Sequence, residues 1–346
     1  MTMRTVIGLI FFLSFSAPNW ADVVKINPDH PTKHVVVKGD TLWDISAKFL
    51  TNPWEWPKIW RHNTQIKNPH LIYPGDIITL CFINNQPMLC VDSGQRSEGR
   101  LQPRIRYQDH KPEAIAMIPL GAIRAFLNSP KVLNKDELEN APYIVAFADE
   151  HLIAGTDSNI YVRSILNRDY MHYTTYRIGE TYKDPETDDI LGYEAIHIAD
   201  NSIISLGDPA TLSINKALQE VRLGDHVMPA VDNEINFNFY PIAPSTKIDA
   251  TIIASMTDSQ EIGQYDIVVL NKGAQDGLKL GHLLSIFQEG ELIKDPYHKN
   301  GHELVKLPNR KSGTLLIFRT FDRVSYALIL HSTRNIRLLD KAQTPE

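Results

Sequence analysis

Three arrangements in this chain of 346 residues have residue types and an order that could do chemistry, and each fails in its surroundings. Ser213-Ile214-Asn215-Lys216 has the S-x-x-K order in which a lysine assists a serine nucleophile, and Lys311-Ser312-Gly313 imitates the K-T-G element that accompanies it. Ser213, however, falls in an alternating strand pattern and not at a helix start, and no S-x-N element lies between the two. Zinc hydrolysis needs clustered donors such as H-E-x-x-H, and the 13 histidines include no such cluster. Asp184-Pro185-Glu186-Thr187-Asp188-Asp189 offers the carboxylates of a calcium loop, but the loop glycine is missing and Ala195 stands where the bidentate acid belongs. Its turn formers fit a hairpin turn better. We therefore expect no catalytic residue, no metal ligand set and no cofactor.

The two cysteines allow another kind of chemistry. Cys81 and Cys90 flank Phe82 to Leu89, with turn formers in the middle and apolar residues either side, the pattern of a β-hairpin. Counting outward from a centre between Asn85 and Gln86 sets Cys81 directly opposite Cys90. A cross-strand disulfide then needs Cα atoms within about 7 Å and an oxidising compartment. Two buried free thiols are the alternative, and a metal site lacks further soft ligands.

The elements that position a binding surface lie just upstream, between His34 and Leu80. Val35-Val36-Val37 is a short β-branched run stopped at Lys38-Gly39, and Thr41-x-x-Asp44 has capping-box spacing, so a helix should start there. Leu42, Ile45 and Phe49 fall on one helical face, while Ile59 and Trp60 supply a second apolar patch. Pro57 fits the first turn of that second helix. Tyr73-Pro74-Gly75-Asp76 reads as a turn feeding the alternating strand Ile77 to Leu80.

This segment resembles the LysM module, a small domain that binds N-acetylglucosamine-containing glycans such as peptidoglycan. The likeness is carried by Gly39-Asp40-Thr41-Leu42, by the apolar helical stripe followed by Asn63, and by Asn68-Pro69-His70-Leu71-Ile72-Tyr73-Pro74-Gly75-Asp76. The resemblance implies a groove between two loops, with Gly39, Asp40, Thr41 and Leu42 on one side. Asn68, Pro69, His70, Leu71, Ile72 and Tyr73 form the other. Sugar acetamido groups want backbone N–H and C=O partners, and Leu42, Leu71 and Ile72 would serve as small apolar platforms. The competing reading places these aliphatics in the core and treats Gly39 and Gly75 as turn glycines only.

Residues 1–21 read as a secretory signal peptide: a short basic start to Arg4, an apolar run from Val6 to Phe15, and a cleavage site near Asn19-Trp20-Ala21. The run is too short for a membrane span, which needs about 20 apolar residues. Loss of Arg4 would take the formal charge from −6 to −7, a balance that argues against a nucleic-acid partner. The expected setting is periplasmic and wall-associated, with peptidoglycan as ligand and an envelope protein as a further partner.

The expected fold class is α+β: a βααβ module at residues 34–81, a hairpin and linker at 82–111, then a mostly-β region. The linker carries Arg96, Arg100, Arg104 and Arg106 and reads as solvated, with contact to anionic wall polymers as its alternative. Beyond it, short runs such as Ile144 to Phe147, Ile196 to Ile198, Ile203 to Leu206, Ile267 to Leu270 and Ala327 to Leu330 read as strands, and Asn134 to Glu139 as a short capped helix. Pro209 to Asp225 and Val324 to Asp340 form a weak internal repeat, each ending Arg-Leu-x-Asp. Gly192 and Gly313, each before a strand, look like further counterparts. Two related small β domains, 112–230 and 247–345, are expected, with one larger sandwich as the alternative. The function expected is that of a non-catalytic peptidoglycan binder, against a wall hydrolase or its regulator, or a structural subunit of an envelope complex.

Overall fold

A computed structural model describes residues 24–60, 72–83, 86–92, 123, 131–148, 153–165, 169–230, 241–256, 261–295, 297 and 303–345. Residues 1–21, expected to be a signal peptide, Asn68 to Leu71 and the arginines expected in the linker fall outside them. The chain divides into two compact units, Met1–Ile118 and Pro119–Glu346.

The first unit runs β1 (Lys33–Val35), α1 (Leu42–Phe49), a 3-10 turn (Pro53–Glu55), α2 (Trp56–Trp60), β2 (Ile77–Ile83) and β3 (Gln86–Asp92). Helix α1 starts where its cap dictates. The Thr41 hydroxyl oxygen accepts the Asp44 N–H at 3.1 Å, and the hydroxyl itself donates to the Asp44 carboxylate at 2.7 Å. The buried face of α1 (Leu42, Ile45, Phe49) meets Trp56, Ile59 and Trp60 and packs with Ile72 and Ile78. Pro57 occupies the first turn of α2, where its missing N–H costs no helical bond.

The sheet has the antiparallel order β1-β2-β3, so the cysteine hairpin adds a strand to the module and delivers Leu89 to the same core. Its register differs from the expectation. Ile83 pairs with Gln86, so the pairing centres one residue earlier than the point between Asn85 and Gln86. Cys81 consequently faces Met88, and Cys90 faces Thr79. The cysteines are diagonal neighbours on one face, Cα atoms 6.0 Å apart, and are joined by a disulfide.

The second unit is mostly β. Its first part contains β4 (Lys131–Leu133), α3 (Lys135–Glu139, capped reciprocally by Asn134 and Glu137), β5 (Tyr143–Phe147), β6 (Asn159–Arg163), β7 (His172–Lys183), β8 (Ile190–Ser205), β9 (Ala210–Ala217) and β10 (His226–Pro229). The second part contains β11 (Asp249–Ser255), β12 (Ile267–Leu270), β13 (Leu283–Gln288), β14 (Leu292–Asp295), β15 (Glu303–Lys306), β16 (Arg310–Thr320), β17 (Ser325–Ser332) and β18 (Lys341–Gln343). In the second part, β11-β12-β17-β16-β13-β18 close into a barrel. In the first, the pairing of β8 with β9 closes β5-β6-β9-β8-β7-β10 into a ring of the same order, with β4 added outside β8. Each is filled by its own aliphatic core, around Ile160, Ile198 and Leu212 in one and Val268, Leu284 and Ile317 in the other.

The correspondence extends to irregularities. The register shift between Ile144 and Ala146, opposite Val162 and Tyr161, recurs between Ile252 and Ala254, opposite Leu270 and Val269. The shift between Thr175 and Tyr176 recurs between Ile286 and Phe287, and the one between Asp200 and Asn201 recurs between Thr314 and Leu315. The repeated Arg-Leu-x-Asp segments make one turn twice: the Arg222 N–H donates to the Asp225 carboxylate at 2.8 Å, and Arg337 N–H to Asp340 at 3.0 Å. The bridge Ala154↔Val221 before the first has its twin in Ile262↔Ile336 before the second. Gly313 pairs with Ile286, the counterpart of Thr175, whose own partner is Ala199. Gly192 and Gly313 are therefore not counterparts; equal residue types at strand starts were misleading.

The barrels are joined through a hairpin. The outer ends of β7 and β8 reach past their own barrel onto the second, where Asn271 Nδ2 donates to Asp184 at 3.0 Å, Lys341 Nζ to Glu186 at 2.8 Å, and Arg323 Nη1 to the Ile190 carbonyl at 2.9 Å. The Tyr182 ring is buried there.

Candidate functional site

The Gly39–Leu42 loop and the turn from Tyr73 to Asp76 lie at the same end of the β1–β2 pair. The Val36 N–H donates to the Asp76 carbonyl at 2.9 Å, and the Gly75 N–H to the Val36 carbonyl at 2.8 Å, so the strand leading into Gly39 is clamped to the turn that follows Tyr73. Both turns depend on glycine, with φ near +101° at Gly39 and Gly75, a region that side chains with a Cβ rarely adopt. In the second turn the Asp76 carboxylate accepts the Tyr73 N–H at 2.9 Å.

Asp40 organises the first loop. Its carboxylate accepts from His34 Nε2 at 2.8 Å and from the Val37 N–H at 3.0 Å, while Lys48 Nζ lies 3.4 Å from His34 Nδ1. Burial pushes the Asp40 carboxyl up, but the hydrogen bonds from Val37 and His34 and the positive charges of His34 and Lys48 outweigh it and hold its pKa below the ordinary value. The sequence reading did not find this network. Its only trace was a histidine opening the module, six positions before the aspartate.

The structure corrects the platform role of two residues. Leu42 is 1% exposed and Ile72 fully buried, both inside the helical core, so neither side chain can meet a sugar face. Leu42 turns inward because it shares the face of Ile45 and Phe49. Thr41 is likewise buried by its capping role. What Thr41 and Leu42 can offer is backbone, since the first N–H groups of a helix have no intrahelical partner. Gly39, Asp40 and Tyr73 stay partly or fully exposed. Asn68, Pro69, His70 and Leu71 lie outside the described residues.

Residues 34–80 match the family model for the LysM domain. These residues are a LysM domain. An uncharacterized protein, YqbP of Bacillus subtilis (strain 168), is 40% identical over 55 residues, covering 13% of this chain. The chain spans 25% of the length of that curated relative. LysM is a binding module for peptidoglycan and related N-acetylglucosamine glycans, typical of wall-associated or extracellular proteins. No helix among the described residues is long and apolar enough to cross a membrane.

The motifs that could have made the second unit an enzyme are dispersed. Ser213 lies on β9 of the first barrel and Lys311 to Gly313 on β16 of the second. Ser312 is buried, its hydroxyl donating to the Ile286 carbonyl at 3.3 Å. Asp184 to Asp189 form the β7–β8 turn, where Asp184 accepts the N–H groups of Glu186 and Thr187. Among the described residues no cluster of three or more His, Cys, Asp or Glu could hold a metal. A cleft of about 570 Å³ beside β4 is lined by Lys131, Glu137, Tyr170, Arg319 and Phe321 among others, and its lining holds no serine, cysteine or histidine. Its one carboxylate, Glu137, already caps α3.

Proposed function

We propose that this protein is an exported, non-catalytic peptidoglycan binder whose LysM domain holds N-acetylglucosamine-containing glycan between the Gly39–Leu42 and Asn68–Tyr73 loops. Its twin barrels then present a surface to a protein of the cell envelope. The LysM match at residues 34–80 carries the reading. The clamp between Val36, Gly75 and Asp76 supports it, because it ties the strand that leads into the first loop to the turn that follows Tyr73. The apolar run from Val6 to Phe15 supports export to the periplasm.

The test is co-sedimentation of the full mature chain with purified sacculi. Leu71→Asp should weaken sedimentation at least tenfold while leaving the melting temperature unchanged, because charge would be forced against an apolar sugar face. Undiminished sedimentation of that variant would remove Leu71 from the groove. Muropeptide release by the unmodified chain would replace the binder reading with the hydrolase one.

A further inference from the structure

The duplication exposes a difference between the two barrels. In the first, the β7–β8 hairpin beyond Tyr176 is docked, with Tyr182 and Leu191 buried and its tip bonded to Asn271, Arg323 and Lys341. The same stretch of the second barrel, beyond Phe287, is the β14–β15 hairpin, since Phe287 is the register counterpart of Tyr176. Its described apolar side chains lie in the open. Ile293 and Val305 pair across one face, Leu292 and Leu304 lie on the other, and all four are at least 40% exposed. Two-stranded hairpins are marginal alone, and apolar side chains on both faces of one mark a contact surface.

The receiving face shows the converse. On the second barrel, Thr251 of β11 is buried and accepts from Lys341, which also donates to Glu186 of the docked hairpin, and Ile253 two positions on is half-buried. By register their counterparts on the first barrel are Tyr143 and Val145 on β5, and both are exposed. Lys341 corresponds to His226, the residue after Asp225, and His226 Nδ1 is buried without a partner. Among the described residues, the second barrel thus exposes the apolar side chains of its hairpin, and the first exposes the face that corresponds to the seat.

We propose that the β14–β15 hairpin seats on the β5 face of the first barrel of a second copy of this chain, repeating between molecules the contact that β7–β8 makes within one. Each contact is heterologous, hairpin on face, so it propagates head to tail unless copies close a ring or exchange hairpins reciprocally. It does not depend on the glycan-binding reading.

Sedimentation velocity of the full mature chain across a concentration series tests it, with two variants: Ile293→Asp with Val305→Asp on the hairpin, and Tyr143→Asp with Val145→Asp on the face. All four side chains are exposed, and unchanged circular dichroism will confirm that both variants fold. The unmodified chain should form concentration-dependent dimers and larger species, and each variant alone should stay monomeric. Mixing the two variants should restore a dimer and nothing larger, because one supplies an intact seat and the other an intact hairpin. A monomeric unmodified chain at all concentrations overturns the proposal. So does assembly that survives either variant, or a mixture that stays monomeric.

Discussion

At the residue scale, the buried aspartates of the Arg-Leu-x-Asp turns do equivalent work with unequal consequences. Asp225 and Asp340 each accept the N–H three residues back, and each carries its strand into the next through backbone bonds to Ile144 and Ile252. Only Asp225 also pairs with Arg177, whose Nε and Nη2 donate at 2.9 and 2.8 Å. Asp340→Ala should cost about 1–2 kcal/mol, the penalty of an unsatisfied turn N–H. Asp225→Ala should cost about 3 kcal/mol, because a partly buried guanidinium loses its counter-charge as well. Denaturant melts of the two variants check the order; equal losses would mean that Arg177 contributes nothing. The repeat that contains these residues was legible because both turns need the same acid at the same offset. The fate of Leu42 and Ile72 was not, since an aliphatic beside a loop looks the same in one dimension whether it feeds a core or a ligand.

At the element scale, strands built from aliphatics were readable and those built from hydroxyls and charges were not. β5, β9, β12 and β17 stood out, whereas β7 buries Tyr173, Thr174, Thr175 and Tyr176 and has no aliphatic alternation to betray it. The runs 196–198 and 203–206 are halves of one long strand, β8. The outer part of β7–β8 is also where pH should act. Burial pushes the Asp184 carboxyl up, but the N–H groups of Glu186 and Thr187, the Asn271 amide and the Lys272 charge pull its pKa below the ordinary 3.8. Its folded pKa is therefore depressed. The stabilisation is present above 3.8 and is lost as pH falls through the folded value. Thermal melts should lose stability below about pH 4, and Asp184→Asn should flatten that part of the profile relative to the unmodified chain. The cysteine hairpin adds a redox prediction: thiol labelling of periplasmic protein under denaturing, non-reducing conditions should find no free thiol. Reduction should cost the first unit about 2–3 kcal/mol, given a loop spanning a sequence separation of 9. Two reactive thiols would show that the strands pair without a bond.

At the scale of the whole molecule, the chain couples a small glycan-binding module to a β unit several times its size, and the division of labour can be tested by cutting between them. Residues 119–346 hold two filled barrels and the hairpin that joins them, so the fragment contains every apolar core that its strands require. It should give a strand-rich circular dichroism spectrum and unfold cooperatively. It should not sediment with sacculi, because the loops at Gly39–Leu42 and Asn68–Tyr73 are gone. It should also release no muropeptides, since its S-x-x-K and K-S-G elements lie on different barrels and its cleft is lined by no serine, cysteine or histidine. Sacculus binding by the fragment would place a second glycan site on the barrels. Cleavage of peptidoglycan by the fragment, stopped by a single substitution that leaves the spectrum unchanged, would make the β unit an enzyme and the LysM domain its targeting module.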